Sequence, residues 1–599
     1  MAYENFYQGT SYPFDTGSDS LFTGAQLNQS QLGASTGVQS ANQITEVSNF
    51  FNQGMKTAEV STINQEVFDM IPEQHFKEIN RLTKLTNTDV TLHAPIIEPS
   101  GFTQQGWSEM NREAAEKQFA DTLIRGKKLS PDKPMPITVH ASSQIPATET
   151  MPVSAFKESE ITPMDKAYME ATGVKEIPTQ MVAANQETGQ LRPLTRKEMM
   201  SPRRGAEKQM QTPMESLHSL NATEWSHQLS QLALNKKQAD ELARQAMPVF
   251  QAIAEKQQKG EALTEQDQAM AMQAKADMSK SKMFLEDVEL SFRSAYEQAA
   301  KYGNNETKKV LGKISEQWQK LGKKNAPSEL LDNSLIALQE VTDATGAPQM
   351  YVPVEEFAID KSSETFANAA FTAYKKLGDK APIVSIENPP YGGAFGNARD
   401  LKNLIEESRA KLAKKIEKDK GLKAEAAKQI ASTMIGATWD TSHNSMMRAK
   451  GFEKNELVKQ AEIIAPYVKH VHLNDNFGFS HTDLPPGMGD VPFDKIMEKL
   501  KKKGYKGKAI FEGGNFFQHF KTAPHGMVLE AMGSPMYSSV AGPTWSQTYG
   551  TMGAYSGGYG PFLPQQHFST YGSGFSGLPQ ELGGQVGGGQ SRMSGTPMS

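Results

Sequence analysis

The sequence predicts an α/β protein: a (β/α)8 TIM barrel with a long, mainly helical insertion after its third strand and low-complexity tails at both ends. Three observations carry that expectation. Short β-branched runs alternate with amphipathic helical patterns, the rhythm of a parallel sheet. The runs end, one after another, on His, Asp or Glu. The rhythm also stops once, between His140 and Ser362, and then resumes.

Residues 1–54 are rich in Gln, Ser, Asn, Thr and Gly, a composition too polar to pack, so a disordered tail is expected there. The first part of the barrel is assigned to residues 55–141. TAEVSTI, from Thr57, reads as its first strand, followed by a helical pattern from Gln65 to Leu85. The strand Asp89–His93 and the helix Trp107–Ile124 come next, then the strand Pro136–His140. Two strands thus end on histidine.

Residues 142–349 form the insertion. Up to about Met214 it is rich in Pro, Met and Thr without a sustained period, which suggests an irregular excursion. From Pro213 to Lys323 it turns to Ala, Gln, Lys, Glu, Met and Leu, the composition of two or three long amphipathic helices. Its methionines Met247, Met270, Met272, Met278 and Met283 are expected to fill a helical core. Because the insertion leaves from a strand's C-terminal end, it is expected to overhang the barrel mouth.

The second part of the barrel spans residues 350–522. A helix starting at Ser362 leads to the strand Ala381–Glu387, a helix from Ala398, the strand Ile435–Asp440 and the helix Lys454–Ile464. In Val468–Val491 a strand runs through His470 and His472 and passes into a loop holding His481, Asp483 and the turn Pro485-Pro486-Gly487. A short strand around His481–Leu484, the helix Phe493–Leu500 and the strand Lys508–Glu512 complete eight strands. Residues 523–599 are dominated by Gly, Tyr, Ser, Pro and Met and read as a low-complexity tail.

The composition narrows the chemistry. The 599-residue chain carries a net charge of −5 and contains no cysteine, so neither a disulfide nor a thiolate metal site can exist and any metal must be held by His, Asp and Glu. No secretory leader or run of about 18 apolar residues is apparent, so a cytoplasmic protein with no membrane partner is expected. The basic run Lys499–Lys508 precedes the last strand, away from the mouth, and reads as a solvated helix end rather than a nucleic-acid track.

In such a barrel the C-terminal strand ends converge on one mouth. The terminal residues are His93, His140, Glu387, Asp440, His472 and Glu512, and His443, His481 and Asp483 lie in the adjoining loops. These nine groups include no Lys or Arg, and a cluster so rich in carboxylates would repel itself unless divalent cations neutralised it. His470, two residues deeper than His472, is expected to support it. His519, His525 and His567 fall outside the pattern.

Val384-Ser-Ile-Glu387-Asn388-Pro-Pro-Tyr-Gly-Gly-Ala-Phe-Gly396, Trp439-Asp440-Thr-Ser-His443, His472-Leu-Asn-Asp475, Pro486-Gly-Met-Gly489 and Phe511-Glu512 resemble the motifs of the xylose isomerase-like TIM-barrel superfamily. That superfamily includes endonuclease IV, a DNA-repair hydrolase cleaving at abasic sites, and sugar or sugar-phosphate isomerases and epimerases. The resemblance covers residues 55–141 and 350–522. Likeness to endonuclease IV implies up to three zinc ions. Glu387 would bridge two, His93 and His140 would complete one, Asp440, His472 and Glu512 the second, and His443, His481 and Asp483 would hold the third. Likeness to the isomerases implies one manganese, magnesium or cobalt ion on Glu387, Asp440, His472 and Glu512, with Glu387 and Glu512 as acid and base. Either way Glu387 and Glu512 are the expected catalytic residues, supported by Asn388, Asn474 and Asp475.

Two departures stand out. The Asp-x-His of endonuclease IV is His481-Thr482-Asp483 here, and the arginine that epimerases place six residues after the metal histidine is Gly478. The nine-ligand count favours the nuclease, with abasic-site DNA as substrate; the isomerase, with a small sugar, is the alternative, and a non-catalytic assembly scaffold the second. The tails and the insertion suggest a protein partner or self-assembly.

Overall fold

The computed structural model describes residues 31–52, 55–142, 145–173, 175–200, 208–321, 326–513 and 528. Within them eight parallel strands close a barrel in chain order. These are β1 Leu32–Ser35, β2 Thr57–Ser61, β3 Asp89–His93, β4 Pro136–His140, β5 Ile383–Glu387, β6 Ile435–Asp440, β7 Val468–His472 and β8 Ala509–Phe511. β2 and β6 are buried along their whole length, as strands enclosed on one side by helices and on the other by a packed barrel interior must be. The ladder then determines which strand ends stand side by side. His140 pairs with Glu387, and Asp440 with His472.

One of the eight expected strands is corrected. The eighth barrel member is not at His481–Leu484, where only an isolated bridge joins Leu484 to Asp475. It is β1, inside the stretch expected to be a polar tail, where the helix Gln43–Asn52 is also ordered. β1 closes the barrel by pairing with β8, Leu32 to Ala509, and with β2, Gly33 to Thr57. A side chain at Gly33 would put its Cβ 2.6 Å from the Thr57 carbonyl oxygen and 2.8 Å from Ile510 Cδ1. Closure therefore selects the residue with the weakest strand preference. The insertion does follow the strand ending at His140; with β1 counted, that strand is the fourth. The remaining elements lie close to expectation, except that Pro72 divides the Gln65–Leu85 pattern into helices Gln65–Met70 and Glu73–Thr86.

The chain forms two compact units, one from residues 1–158, 172–177 and 354–599, the other from 159–171 and 178–353. In the second, the stretch read as irregular contains the strands Glu176–Asn185, Leu191–Thr195, Lys197–Met200 and Lys208–Gln211 and the helix Pro163–Thr172. Its helices Pro213–Gln258 and Glu265–Tyr302 both start in capping boxes, Thr212 with Glu215 and Thr264 with Asp267. Trp225, Leu229, Phe292, Leu311 and Leu331 are among the residues of their core. Four of the five methionines expected there are elsewhere, Met247, Met270, Met272 and Met283 all being exposed while Met278 is half-buried, because aromatic and branched side chains fill the seam instead. No helix among the described residues is long and apolar enough to cross a membrane. His519, His525, His567 and the tail from residue 529 onward lie outside the described residues.

Candidate metal centre

Glu387, Asp440 and His472 are fully buried at the ends of β5, β6 and β7, and Glu512 follows β8 directly. One donor atom from each of these four lies within 4.8 Å of the others. His472 Nδ1 is 2.7 Å from Glu387 Oε1, 3.2 Å from Glu512 Oε2 and 4.0 Å from Asp440 Oδ2. A second donor group, His93, His140 and Glu387, uses the other oxygen of the same carboxylate. His93 Nε2 stands 3.2 Å and His140 Nε2 3.7 Å from Glu387 Oε2. Glu387 is thus common to two adjoining sets.

The surrounding polar groups aim these donors. Asp440 Oδ1 accepts the His443 N–H and the Ser442 hydroxyl, each at 2.9 Å, which leaves Oδ2 turned toward His472. Asn474 donates to Asp440 Oδ2 at 2.6 Å and to Glu512 Oε2 at 3.1 Å, and its own oxygen accepts the Glu512 N–H. Asn388 pins the Asp440 backbone, donating to its carbonyl and accepting from its N–H. Asp475 does not touch the donors. Its carboxylate accepts the backbone N–H groups of Asn476, Gly487, Gly489 and Val491, and so shapes the loop that bears His481 and Asp483.

That loop forms a looser group. Nε2 of His443 and of His481 are 2.8 Å apart, and His481 is 3.5 Å from Asp483. Among the described residues these three do not join into a set with every donor within 4.8 Å of the others. Asp483 Oδ1 instead accepts the Ser442 hydroxyl at 3.4 Å.

Electrostatics mark the centre as a place for cations. Burial pushes the Glu387 carboxyl up, and the His472 and His93 imidazoles more than reverse this, holding it well below the usual carboxylate range. Burial likewise works against a charged His472, yet Glu512, Glu387 and Glu59 hold it well above the usual imidazole range. His93 is brought to about 9 by Glu387 against the cost of burial, whereas burial takes His140 down to about 4. Burial, with Asp440 and Glu512 close by, raises Asp483 to about 7. Protonated histidines hold the carboxylates ionised, a role that a divalent cation could take over with the same nitrogens as ligands. The donors, hard oxygens and imidazoles without thiolate, fit zinc, manganese, magnesium or cobalt.

Residues 364–524 match the family model described as xylose isomerase-like TIM barrel. The matched stretch carries β5 to β8 and seven of the nine expected donors, of which Glu387, Asp440, His472 and Glu512 form one set. Residues 364–524 belong to the xylose isomerase-like TIM-barrel superfamily. The chain is also 33% identical over 91 residues to an uncharacterized protein, MJ1311, of Methanocaldococcus jannaschii; the match covers 15% of this chain and 30% of that relative's length. Against the crystal structure of a D-tagatose 3-epimerase-like protein it shows 11% identity and a TM-score of 0.36, over 84% of this chain and 97% of that one.

Sequence reading missed one residue of the centre. Glu59, on β2, is fully buried directly behind His472, with 3.0 Å between Glu59 Oε1 and His472 Nε2. The signal was present in TAEVS, where one acid interrupts a strand with no other charge. A carboxylate inside a fully buried strand needs a partner. His470, expected to support His472 directly, does so through Glu59, 2.9 Å from its Nε2.

Proposed function

We propose that the barrel is a divalent-metal-dependent hydrolase that cleaves phosphodiesters as endonuclease IV does, with abasic-site DNA the substrate to test first. The observation that carries this reading is the Glu387 carboxylate, which turns one oxygen to His472 and the other to His93 and His140. A carboxylate divided between two donor sets is the arrangement required by two neighbouring cations, and paired cations serve the displacement of phosphate esters. When bound, such ions supply a water of lowered pKa and neutralise charge gathering on the ester oxygens.

Each protein group then has a part of its own. Glu387 joins the two donor sets and Glu512 borders both, with Oε1 3.7 Å from His93 and Oε2 steered by Asn474. Asp440 turns one oxygen inward because the other is spent on the N-terminus of the short helix Thr441–Ser445. His93 presents Nε2 because its Nδ1–H donates to the Ala94 carbonyl at 2.9 Å, which settles the tautomer.

A second reading, isomerisation or epimerisation of a small sugar, is favoured by one feature. Glu387, Asp440, His472 and Glu512 alone form a full set for a single ion, with two glutamates available as acid and base. Metal analysis of the purified chain, coupled to assays on an abasic-site duplex and on aldose–ketose pairs, separates the readings. Two or three zinc ions with strand cleavage support the hydrolase. One ion with sugar interconversion overturns it for the isomerase, and a chain that binds no metal and performs neither reaction leaves only the scaffold.

A further inference from the structure

The histidines of the centre differ in what stands behind them. His93 and His443 rest their rear nitrogens on backbone carbonyls, those of Ala94 at 2.9 Å and Asn388 at 2.7 Å. Behind His472 there is a carboxylate instead. Glu59 Oε1 faces His472 Nε2 at an ion-pair distance of 3.0 Å, and neither atom has a hydrogen-bond partner among the described residues. The other oxygen, Oε2, is already satisfied by His470 Nε2 at 2.9 Å and the Thr91 hydroxyl at 2.8 Å. Glu59, His470 and His472 are all at 0% exposure.

A carboxylate at that depth is costly to bury. Thr91 and His470 account for one of its oxygens; His472 is what the second one serves. We propose that Glu59 is a positioning residue for the metal centre: by facing Nε2 it keeps the His472 ring turned with Nδ1 toward Glu387, Asp440 and Glu512, and makes that nitrogen a stronger donor than a carbonyl-backed histidine. A ligand histidine with a carboxylate behind it is both oriented and more basic. Glu59 touches neither substrate nor metal in this scheme, and its influence passes through the ring of His472. The arrangement also explains the depth of His470, which occupies the remaining oxygen so that Glu59 cannot swing away.

This inference rests on the metal-centre reading, and the experiment keeps the two apart. Zn2+ affinity is measured by competition with a chromophoric chelator, and the visible spectrum is recorded on the Co2+-loaded full chain, for the wild type and for Glu59→Gln. The expected result is a loss of about 10- to 100-fold in affinity, with displaced Co2+ bands. A purely structural Glu59 would lower the melting temperature and leave the affinity and spectrum of the folded protein as they were; that result overturns the proposal alone. A wild type that binds neither Zn2+ nor Co2+ overturns the metal-centre reading and this inference together. Should Glu59→Gln not fold, Glu59→Asp keeps the charge but falls one methylene short of His472. It is expected to weaken Zn2+ and shift the Co2+ bands in the same direction, and unchanged values there count equally against the proposal.

Discussion

The donors at the strand ends and those in the loop after β7 are built differently. Glu387, Asp440 and His472 are fully buried, and ladder register sets two of their neighbours: His140 lies opposite Glu387 and Asp440 opposite His472. His481, nearby in sequence, keeps 42% of its side chain exposed, and what shapes its loop is the set of four backbone N–H groups gathered by Asp475. Strand-end ligands inherit their positions from the same hydrogen bonds that make the barrel. Loop ligands depend on one side chain.

This contrast can be broken at its strongest point first. Glu387→Gln removes the charge shared by both donor sets and is expected to cost about 10^3-fold in kcat/KM, since bound metal contributes several kcal/mol and 1.36 kcal/mol is tenfold. Metal content of the purified variant should fall with it, and full activity at full metal content would remove Glu387 from the site.

The next test is of pH and concerns the brace. Burial raises the Asp475 carboxyl to about 6 against the pull of its four N–H donors, so the folded state binds this proton more tightly than the unfolded chain. The stability it contributes is complete below about pH 4 and is lost as pH rises through about 6, at most about 3 kcal/mol for a shift of this size. Asp475→Asn does not titrate. Thermal melts should therefore show the variant gaining on the wild type between pH 4 and 7, and a constant gap between the two would refute the assignment.

Gly489→Ala acts on the same loop through space. A Cβ there would lie 2.3 Å from Asp475 Oδ1 and 2.6 Å from the Asn476 carbonyl oxygen, an overpacking worth about 1–3 kcal/mol. The expected outcome is a lower melting temperature with metal at the strand ends retained, read by titrating the folded variant with Zn2+. The smallest effect is expected of His481→Ala. His481 is 42% exposed and stands 3.5 Å from Asp483, a pairing worth about 1 kcal/mol or less, so activity should fall no more than about fivefold. A fall as deep as that of Glu387→Gln would make the loop an equal of the strands.

What could be read from the sequence follows the same division. The strand-end donors were visible because β-branched runs stop on His, Asp or Glu, and a barrel gathers such ends at one mouth. β1 was hidden because the space between β2 and β8 admits only a glycine at position 33, and LGAS has little of a strand's composition. Eight strands were expected with one wrong member, since the alternation near His481 resembles a strand while Asp475 holds it as a loop. Glu59 was passed over because a single acid in a strand says nothing about which histidine lies across the barrel. The exposed methionines of the insertion illustrate the same limit: composition predicts that a helix forms, and packing decides which face turns inward.

The closing strand has a consequence for the order in which the molecule is made. β1 is near the start of the chain, yet it pairs with β8 through Leu32 and Ala509, and Glu512 comes directly after β8. A growing chain carries every donor but one before the barrel can shut, and the strand that shuts it delivers the last. Contacts this distant in sequence are slow to form. Barrel closure and completion of the candidate donor set are therefore one event, and a chain cut short before β8 would lose both at once.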